Sequence, residues 1–386
     1  MLRGSRSTGR TQCPSQAPAL AGAGAAVFRA LAEADGNVAV SPASLEIALA
    51  MAAAGATPES RTLQQLRAAL GHDETEAVVH ASMRETLAQL LGGSSRKRII
   101  VANSIWAAGG LKQEFADRCK DVFCADAFPL QGADVINAWI DANTHGHIKQ
   151  LLSRDPDDTV LINVLFFEAA WLTSFDDAKT RDADFNSFHG RVACRMMTNP
   201  SLSCRVGRTA RASFAVLPYA APGDADADAD AEPGAFCALV VLPDSGGRAA
   251  LLDATADLFT LANSVDAAVS GAEGARVGFS MPVFDIDSNV LSLKHTLQKL
   301  DVCELFDPEA ADLKRMSAKH TWASDVIQRV VIKVNEKGTV AAAASAVGAT
   351  RGGGGPPQFT VNRPFLFVVF DTRTRITLFA AKVETV

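Results

Sequence analysis

Apolar residues recur at helical spacing in several stretches of the first 150 residues. Boundary signals accompany them: Ser41 and Pro42 are typical of a helix start, while Gly55 and Gly71 are typical of helix ends. The pattern predicts helices over 20–34, 41–55, 57–70, 77–92, 113–125 and 133–150.

Short apolar runs rich in β-branched and aromatic residues predict strands. The run at 159–167 (TVLINVLFF) is almost wholly apolar, which predicts a strand covered on both faces. Further strands are predicted at 98–108, 214–219, 236–243, 275–284, 326–334, 365–371 and 376–383. Because strands and helices mix without regular alternation, the sequence favours an α+β fold.

One segment at the N-terminus and one internal segment stand apart from this pattern. Residues 1–19 carry arginines but no continuous apolar core, so we expect a disordered leader rather than a secretory signal, with a weak similarity to a transit peptide. Residues 20–386 lack a dividing linker before 351 and are predicted to form one domain. The acidic stretch 224–232 is predicted to be a solvated hairpin insertion, with a calcium loop as the alternative.

Charge, hydrophobicity and cysteine content argue against several classes of function. The net charge of −6 argues against nucleic-acid binding, and the apolar runs are too short to cross a bilayer. Seven cysteines at scattered positions form no CxxC pair and predict free thiols in a reducing compartment. We therefore expect a cytoplasmic location, with the extracellular space as the alternative.

Catalytic motifs are missing from the sequence. There is no GxSxG, HExxH or phosphate-binding glycine loop. His145 and His147 could hold a metal, but an exposed turn is the simpler interpretation. The basic residues 96–98 are interpreted as a solvated edge, with an anion or polyanion contact as the alternative. The expectation is a protein without enzyme activity, cofactor or metal, although a hydrolase with dispersed catalytic residues stays open.

A family resemblance emerges near the C-terminus and extends over almost the whole chain. The stretch VIKVNEKGTVAAAASA (331–346) and the later FTVNRPFLFVVFD (359–371) resemble the C-terminal signature of serpins. Other motifs follow in family order, including NVAVSPASLEIALAMAAAGA (37–56), INVLFFEAAWLTSF (162–175) and LQKLDVCELFDPEAADL (297–313). The resemblance implies three β-sheets, eight or nine helices and an exposed reactive loop at about 336–358.

The resemblance also implies how such a loop works. A protease cleaves it, the loop inserts as a new strand into the central sheet, and the protease is trapped as an acyl-enzyme. This requires a metastable starting fold. The sequence after Gly338 suits insertion, because neither alternating face carries a charge before Arg351. The predicted loop hinge comprises Glu336, Lys337, Gly338, Thr339, Val340, Ala341, Ala342, Ala343, Ala344 and Ser345.

The reactive bond is predicted at Arg351–Gly352. Family spacing from Gly338 points to Gly352, which offers no side chain to a specificity pocket, whereas the Arg351 guanidinium suits a trypsin-like pocket. One alternative is elastase-like cleavage between 347 and 350. The simplest alternative is that Arg351 is an ordinary exposed charge on the loop.

The resemblance assigns sheet-opening roles to five residues, and some positions depart from the family pattern. Those residues are Ser41, Ser44, Asn163, Trp171 and Gln328. Gln328 stands where a histidine is usual, Val340 where glutamate is usual, and Glu168 and Ala169 replace a common Lys-Gly pair. Four glycines follow Arg351, which favours simple cleavage over trapping because docking must order them.

The function predicted from these features is irreversible suicide inhibition of a trypsin-like serine endopeptidase by a monomer. A cysteine protease target stays open, since the trap also passes through an acyl-enzyme. The alternative is a non-inhibitory binding protein of the same fold whose loop is cut as a plain substrate. No nucleic-acid or membrane partner is expected.

Overall fold

The computed structural model describes residues 22–91, 99–221, 233–260, 272–339 and 356–386. Eight α-helices lie in these ranges: α1 (Ala23–Ala32), α2 (Pro42–Gly55), α3 (Arg61–Leu70), α4 (Glu76–Leu91), α5 (Gln113–Phe123), α6 (Ala133–Asn143), α7 (Arg248–Thr260) and α8 (Lys294–Lys299). None of the helices in the described ranges is long and apolar enough to span a membrane.

Local signals explain the start of α2 and both ends of α3. The Ser41 side chain accepts a hydrogen bond from the Ser44 N–H at 3.2 Å and so caps α2, whose first residue is Pro42. In the same way Ser60 caps α3, and Gly71 ends it in the left-handed conformation with φ of 67°.

The helix predicted over 133–150 is too long. The helix α6 ends at Asn143, because the Thr144 hydroxyl bonds back to the Ile140 carbonyl and also accepts from the Ile148 N–H. His145 then adopts a φ of 52°, which turns the chain away from the helix axis.

Seventeen strands form two hydrogen-bonded sheets in the described residues. Sheet I has the order β3-β2-β4-β13-β14-β5, with β11 and β12 also paired to β13. Its strands are β2 (Ile99–Ala107), β3 (Asp126–Pro129), β4 (Thr159–Phe167), β5 (Ala169–Ala170), β11 (Phe284–Asp287), β12 (Leu291–Ser292), β13 (Ala323–Asn335) and β14 (Gly338–Thr339).

Sheet II has the order β1-β17-β16-β9-β8-β7-β10-β15, with β6 paired to β7. Its strands are β1 (Val38–Val40), β6 (Arg181–Ser187), β7 (Gly190–Arg208), β8 (Ala212–Ala220), β9 (Pro233–Pro243), β10 (Glu273–Pro282), β15 (Gln358–Thr360), β16 (Phe365–Asp371) and β17 (Thr377–Val383).

The three expected sheets correspond to sheet I and two parts of sheet II. The strand β7 joins those parts, because its first half pairs with β6 and its last residues pair with β8. The neighbouring strand β10 pairs along both halves, with a register shift between Val277 and Phe279. The result is the predicted single-domain α+β fold.

The strand β4 is buried at every position, as its apolar run predicts. Leu165 and Phe167 pack into the core shared with sheet II, whereas Val160, Ile162 and Val164 pack under α6. The helix α2 is also buried almost all round and lies behind sheet I, so its capped start meets β4 and β13 inside the protein.

Candidate functional site

The first residues of the predicted loop hinge already lie within sheet I. Gly338 and Thr339 form β14, which pairs antiparallel with β13 on one side and with β5 on the other. Below this point β13 and β4 pair directly with each other in parallel, up to the pair of Val331 and Phe166. The short strand β14 therefore occupies the upper end of the boundary between two neighbouring strands.

Thr339 is held by buried aromatic residues. Only 1% of its surface is exposed, and its hydroxyl lies 2.8 Å from the Tyr219 hydroxyl. The Tyr219 ring stacks on Trp171 at 4.6 Å between centroids, with 10° between the ring planes. Burial raises the pKa of Tyr219 far above its usual range, so the phenol keeps its proton and stays available for this hydrogen bond.

Trp171 also holds the turn that leads into β14. Its indole Nε1–H donates to the Asn335 carbonyl at 3.0 Å, and its backbone N–H donates to the Lys337 carbonyl at 2.9 Å. The Asn335 side chain accepts from the N–H groups of Lys337 and Gly338. Trp171 thus contacts both the end of β13 and the hinge.

Gly338 is required by the close approach of β5. A Cβ atom at this position would lie 2.1 Å from the Ala169 carbonyl oxygen, far inside contact distance. The other hinge residues before it are anchored by polar contacts. Glu336 accepts from the Thr180 hydroxyl at 2.7 Å, and Lys337 lies 3.5 Å from the Asp177 carboxylate.

A second group of polar residues, which we call the sheet-closing cluster, lies in sheet I nearer the start of β4 and β13 and is fully enclosed. Gln328 on β13 accepts from the Ser41 N–H at 2.9 Å and donates to the Ser41 carbonyl at 3.1 Å. The Gln328 amide also donates to the Asn163 side chain on β4. Gln328 therefore links the two strands to each other and to the start of α2.

The cluster extends through a residue that the sequence reasoning missed. Asn103 on β2 accepts from the Ser44 hydroxyl at 2.9 Å and from the Asn163 amide at 3.0 Å. Ser44 therefore reaches Asn163 through Asn103. A polar residue inside the apolar strand VANSIWA was the available signal. Tyr219 and Thr180 were also missed, since their partners lie more than 100 residues away in the sequence.

The remaining predicted loop residues lie outside the described ranges. These are Val340, Ala341, Ala342, Ala343, Ala344, Ser345, Arg351 and Gly352. Both ends of the loop are described: Thr339 in sheet I is the last described residue before it, and Pro356, next to β15, is the first described residue after it; β15 pairs in parallel with β10. The reactive bond, the basic residues 96–98 and the acidic stretch 224–232 stay predictions.

The two histidines considered as metal ligands are placed in the turn after α6. The His147 ring stacks on Phe166 at 3.8 Å, with 16° between the rings. Within the described ranges, no group of three histidine, cysteine, aspartate or glutamate side chains could hold a metal ion.

Comparison with known sequences points to a family of protease inhibitors. The family model for Serpin (serine protease inhibitor) matches residues 19–386. Iripin-3 of Ixodes ricinus is 32% identical over 377 residues, which cover 90% of this chain and 88% of that protein. Serine proteinase inhibitor 2.4 of Apodemus sylvaticus is 31% identical over 372 residues, covering 92% of this chain and 84% of that protein.

Solved structures show the same fold. Native protease nexin-1 with heparin superposes with a TM-score of 0.82 at 23% identity, covering 96% of this chain and 99% of that one. The thermophilic serpin tengpin in its native state superposes with a TM-score of 0.82 at 24% identity, covering 100% of this chain and 98% of that one. Together with the sequence matches, these results place the chain in the serpin family, whose members are mostly protease inhibitors rather than enzymes.

Proposed function

We propose that this chain is a suicide inhibitor of a trypsin-like serine endopeptidase. In this mechanism the protease serine attacks the Arg351 carbonyl and releases the amine of Gly352, which leaves the protease esterified to Arg351. The severed loop then continues the strand that Gly338 and Thr339 have begun and carries the acylated protease with it.

The position and registers of β14 carry this proposal. Thr339 pairs with Val334 on β13 and with Ala169 on β5, and β5 follows directly after β4. Extending both registers downward puts residue 349 opposite Thr159 and residue 350 opposite Ala323, where β4 and β13 begin. The segment before Arg351 therefore has the length needed to fill the boundary between these two strands.

The side chains of that segment fit the space on both sides. In an inserted strand, alternate residues from Thr339 would share the face that Thr339 turns toward Tyr219, and they are alanine, serine or valine. The opposite face carries valine, alanine, glycine and threonine. Because neither face carries a charge, insertion buries no unpaired ion. An inserted strand would replace one parallel pairing with two antiparallel ones, which favours insertion.

Insertion must also open the sheet-closing cluster. The Gln328–Asn163 hydrogen bond crosses the boundary between β13 and β4, and an incoming strand must break it. Each buried polar group left without a partner costs about 1–3 kcal/mol. The cluster therefore supplies part of the barrier that keeps the uncut protein in its starting form.

The experiment is incubation with trypsin, followed by denaturing electrophoresis and mass mapping of the released peptide. A trap gives a covalent complex heavier than the 40.6 kDa chain, with cleavage after Arg351. Arg351→Ala should abolish the complex, whereas Arg154→Ala, which removes an exposed arginine after α6, should not. Complete turnover of the loop without a complex would support the non-inhibitory alternative, which the four glycines after Arg351 favour.

Three further properties are proposed on the sequence alone. A cysteine protease target would give a complex with a papain-like enzyme in the same assay. The monomeric state and the cytoplasmic location stay predictions, which sedimentation and localisation of the tagged chain would test.

A further inference from the structure

A cavity of about 350 Å³ opens in sheet II where β7, β8 and β9 lie side by side. Its lining comes from these strands, from Gly274 on β10, from the hairpin between β16 and β17, and from Leu172. Leu172 is fixed there because its N–H donates to the Pro218 carbonyl at 2.9 Å. The cavity is separate from the loop hinge and from the sheet-closing cluster.

The floor of the cavity is uncharged. Val216 and Cys237 are buried there, and Leu172 and Pro218 are half-buried beside them. Burial raises the pKa of the Cys237 thiol to about 11, so the sulfur stays protonated at neutral pH. These surfaces favour an apolar ligand body over a sugar or a nucleotide.

Two arginines give the cavity its charge. Arg205 on β7 and Arg375 in the β16–β17 hairpin both line it, and both are exposed. The Arg205 Nε and Nη2 groups donate to the Ala272 carbonyl, which fixes the guanidinium while Nη1 is not used in that contact. Among the described residues that line the cavity there are two arginines and no carboxylate, so this part of the lining is cationic.

We propose that this cavity binds a medium-chain carboxylic acid, with the carboxylate on the two arginines and the chain against the apolar floor. At roughly 30 Å³ per heavy atom, the space accommodates about a dozen heavy atoms. A straight-chain acid of about ten carbons would fill this volume. Arginine matches the carboxylate because its planar guanidinium donates in a fork geometry.

Occupancy of the cavity would be detectable through a neighbouring tryptophan. Leu172 directly follows Trp171, and Pro218 directly precedes Tyr219, on which Trp171 stacks. A ligand held against Leu172 and Pro218 should therefore change the emission of Trp171. This inference does not depend on the proposed inhibitory function, because binding is measured on the uncut protein without a protease.

The test is a calorimetric titration of the full chain with sodium decanoate, with tryptophan emission recorded in parallel. Saturable binding is expected, and decan-1-ol, which has the chain but no charge, should bind at least tenfold more weakly. Arg205→Gln and Arg375→Gln should each weaken decanoate binding about tenfold or more, since charge-assisted hydrogen bonds are lost. Arg191→Gln removes an exposed arginine from the same strand as Arg205 and should leave binding unchanged.

Three results would overturn the proposal. These are no saturable binding of decanoate by the unmodified chain, equal binding of decan-1-ol and decanoate, or equal effects of the Arg191 and Arg205 variants. Because Arg205 and Arg375 are exposed, their substitution is not expected to prevent folding.

Discussion

If the chain is the trap proposed above, Thr339→Arg should convert it into a substrate. Thr339 is only 1% exposed and faces Tyr219 inside the protein, so an arginine there has no route to water while β14 stays paired. The guanidinium would be a buried charge without a carboxylate partner. The hinge would have to leave the sheet before it could be accommodated.

The size of the effect follows from this burial. Leaving one charge unpaired in a protein interior costs about 3–5 kcal/mol. If about 3 kcal/mol of that cost appears in the barrier to insertion, insertion slows by roughly 100-fold. Hydrolysis of the acyl-enzyme is unaffected by the change, so it should win the competition in the variant.

The assay is the number of inhibitor molecules consumed per molecule of trypsin inactivated. That number should rise at least tenfold in Thr339→Arg, while Arg351 is still cleaved. Thr339→Ser keeps the hydroxyl that meets Tyr219 and is the matched control, with a stoichiometry close to that of the parent. An unchanged stoichiometry in Thr339→Arg would refute the idea that insertion proceeds from the paired hinge at Thr339.

Other changes test the parts of the fold that support this mechanism. Gln328→Leu leaves the Ser41 N–H and the Asn163 side-chain oxygen without the partner that Gln328 provides, so the uncut protein should convert faster to loop-inserted or polymeric forms on native gels; an unchanged conversion rate would count against the sheet-closing role. Burial raises the pKa of Glu46 above 4.5, so the folded chain binds its proton more tightly than the unfolded chain and stability falls as the pH rises above that value. Glu46→Gln should therefore raise the urea midpoint at pH 7.5 and have little effect near pH 4.5; the reverse order would exclude a buried protonated carboxyl. Glu384→Gln removes the carboxylate partner of the fully buried Lys382 ammonium, 2.7 Å away, and should lower the free energy of unfolding by about 3–5 kcal/mol; a loss below about 1 kcal/mol would show that the pair is solvated.

Local chemistry made much of this fold predictable from the sequence. Ser41 and Pro42 define the start of α2 through a side-chain cap and a fixed φ, which are properties of neighbouring residues. The almost wholly apolar run of β4 indicated burial on both faces, and every position of β4 is buried in the structure. The end of α6 was missed because the Thr144 hydroxyl competes with the helix for backbone partners, which no periodicity reveals.

The candidate site was only partly predictable, for a different reason. The family motifs pointed to Gln328, Asn163 and Ser41, and the structure brings these side chains and backbone groups together. Asn103 and Tyr219 complete the two polar groups, yet Tyr219 of sheet II meets Thr339 of sheet I where the two sheets pack, and Asn103 meets Asn163 through the register of β2 and β4. Such register depends on how the whole sheet assembles, so a local pattern cannot predict it.

The central claim is that the chain between Gly338 and Arg351 enters sheet I once it is cut. The most direct measurement compares the melting temperatures of the intact protein and of protein cleaved at Arg351–Gly352 under the same conditions. About ten additional strand residues, at about 1 kcal/mol per hydrogen bond, should raise the melting temperature by at least about 10 °C. Equal melting temperatures for the two forms would contradict the account.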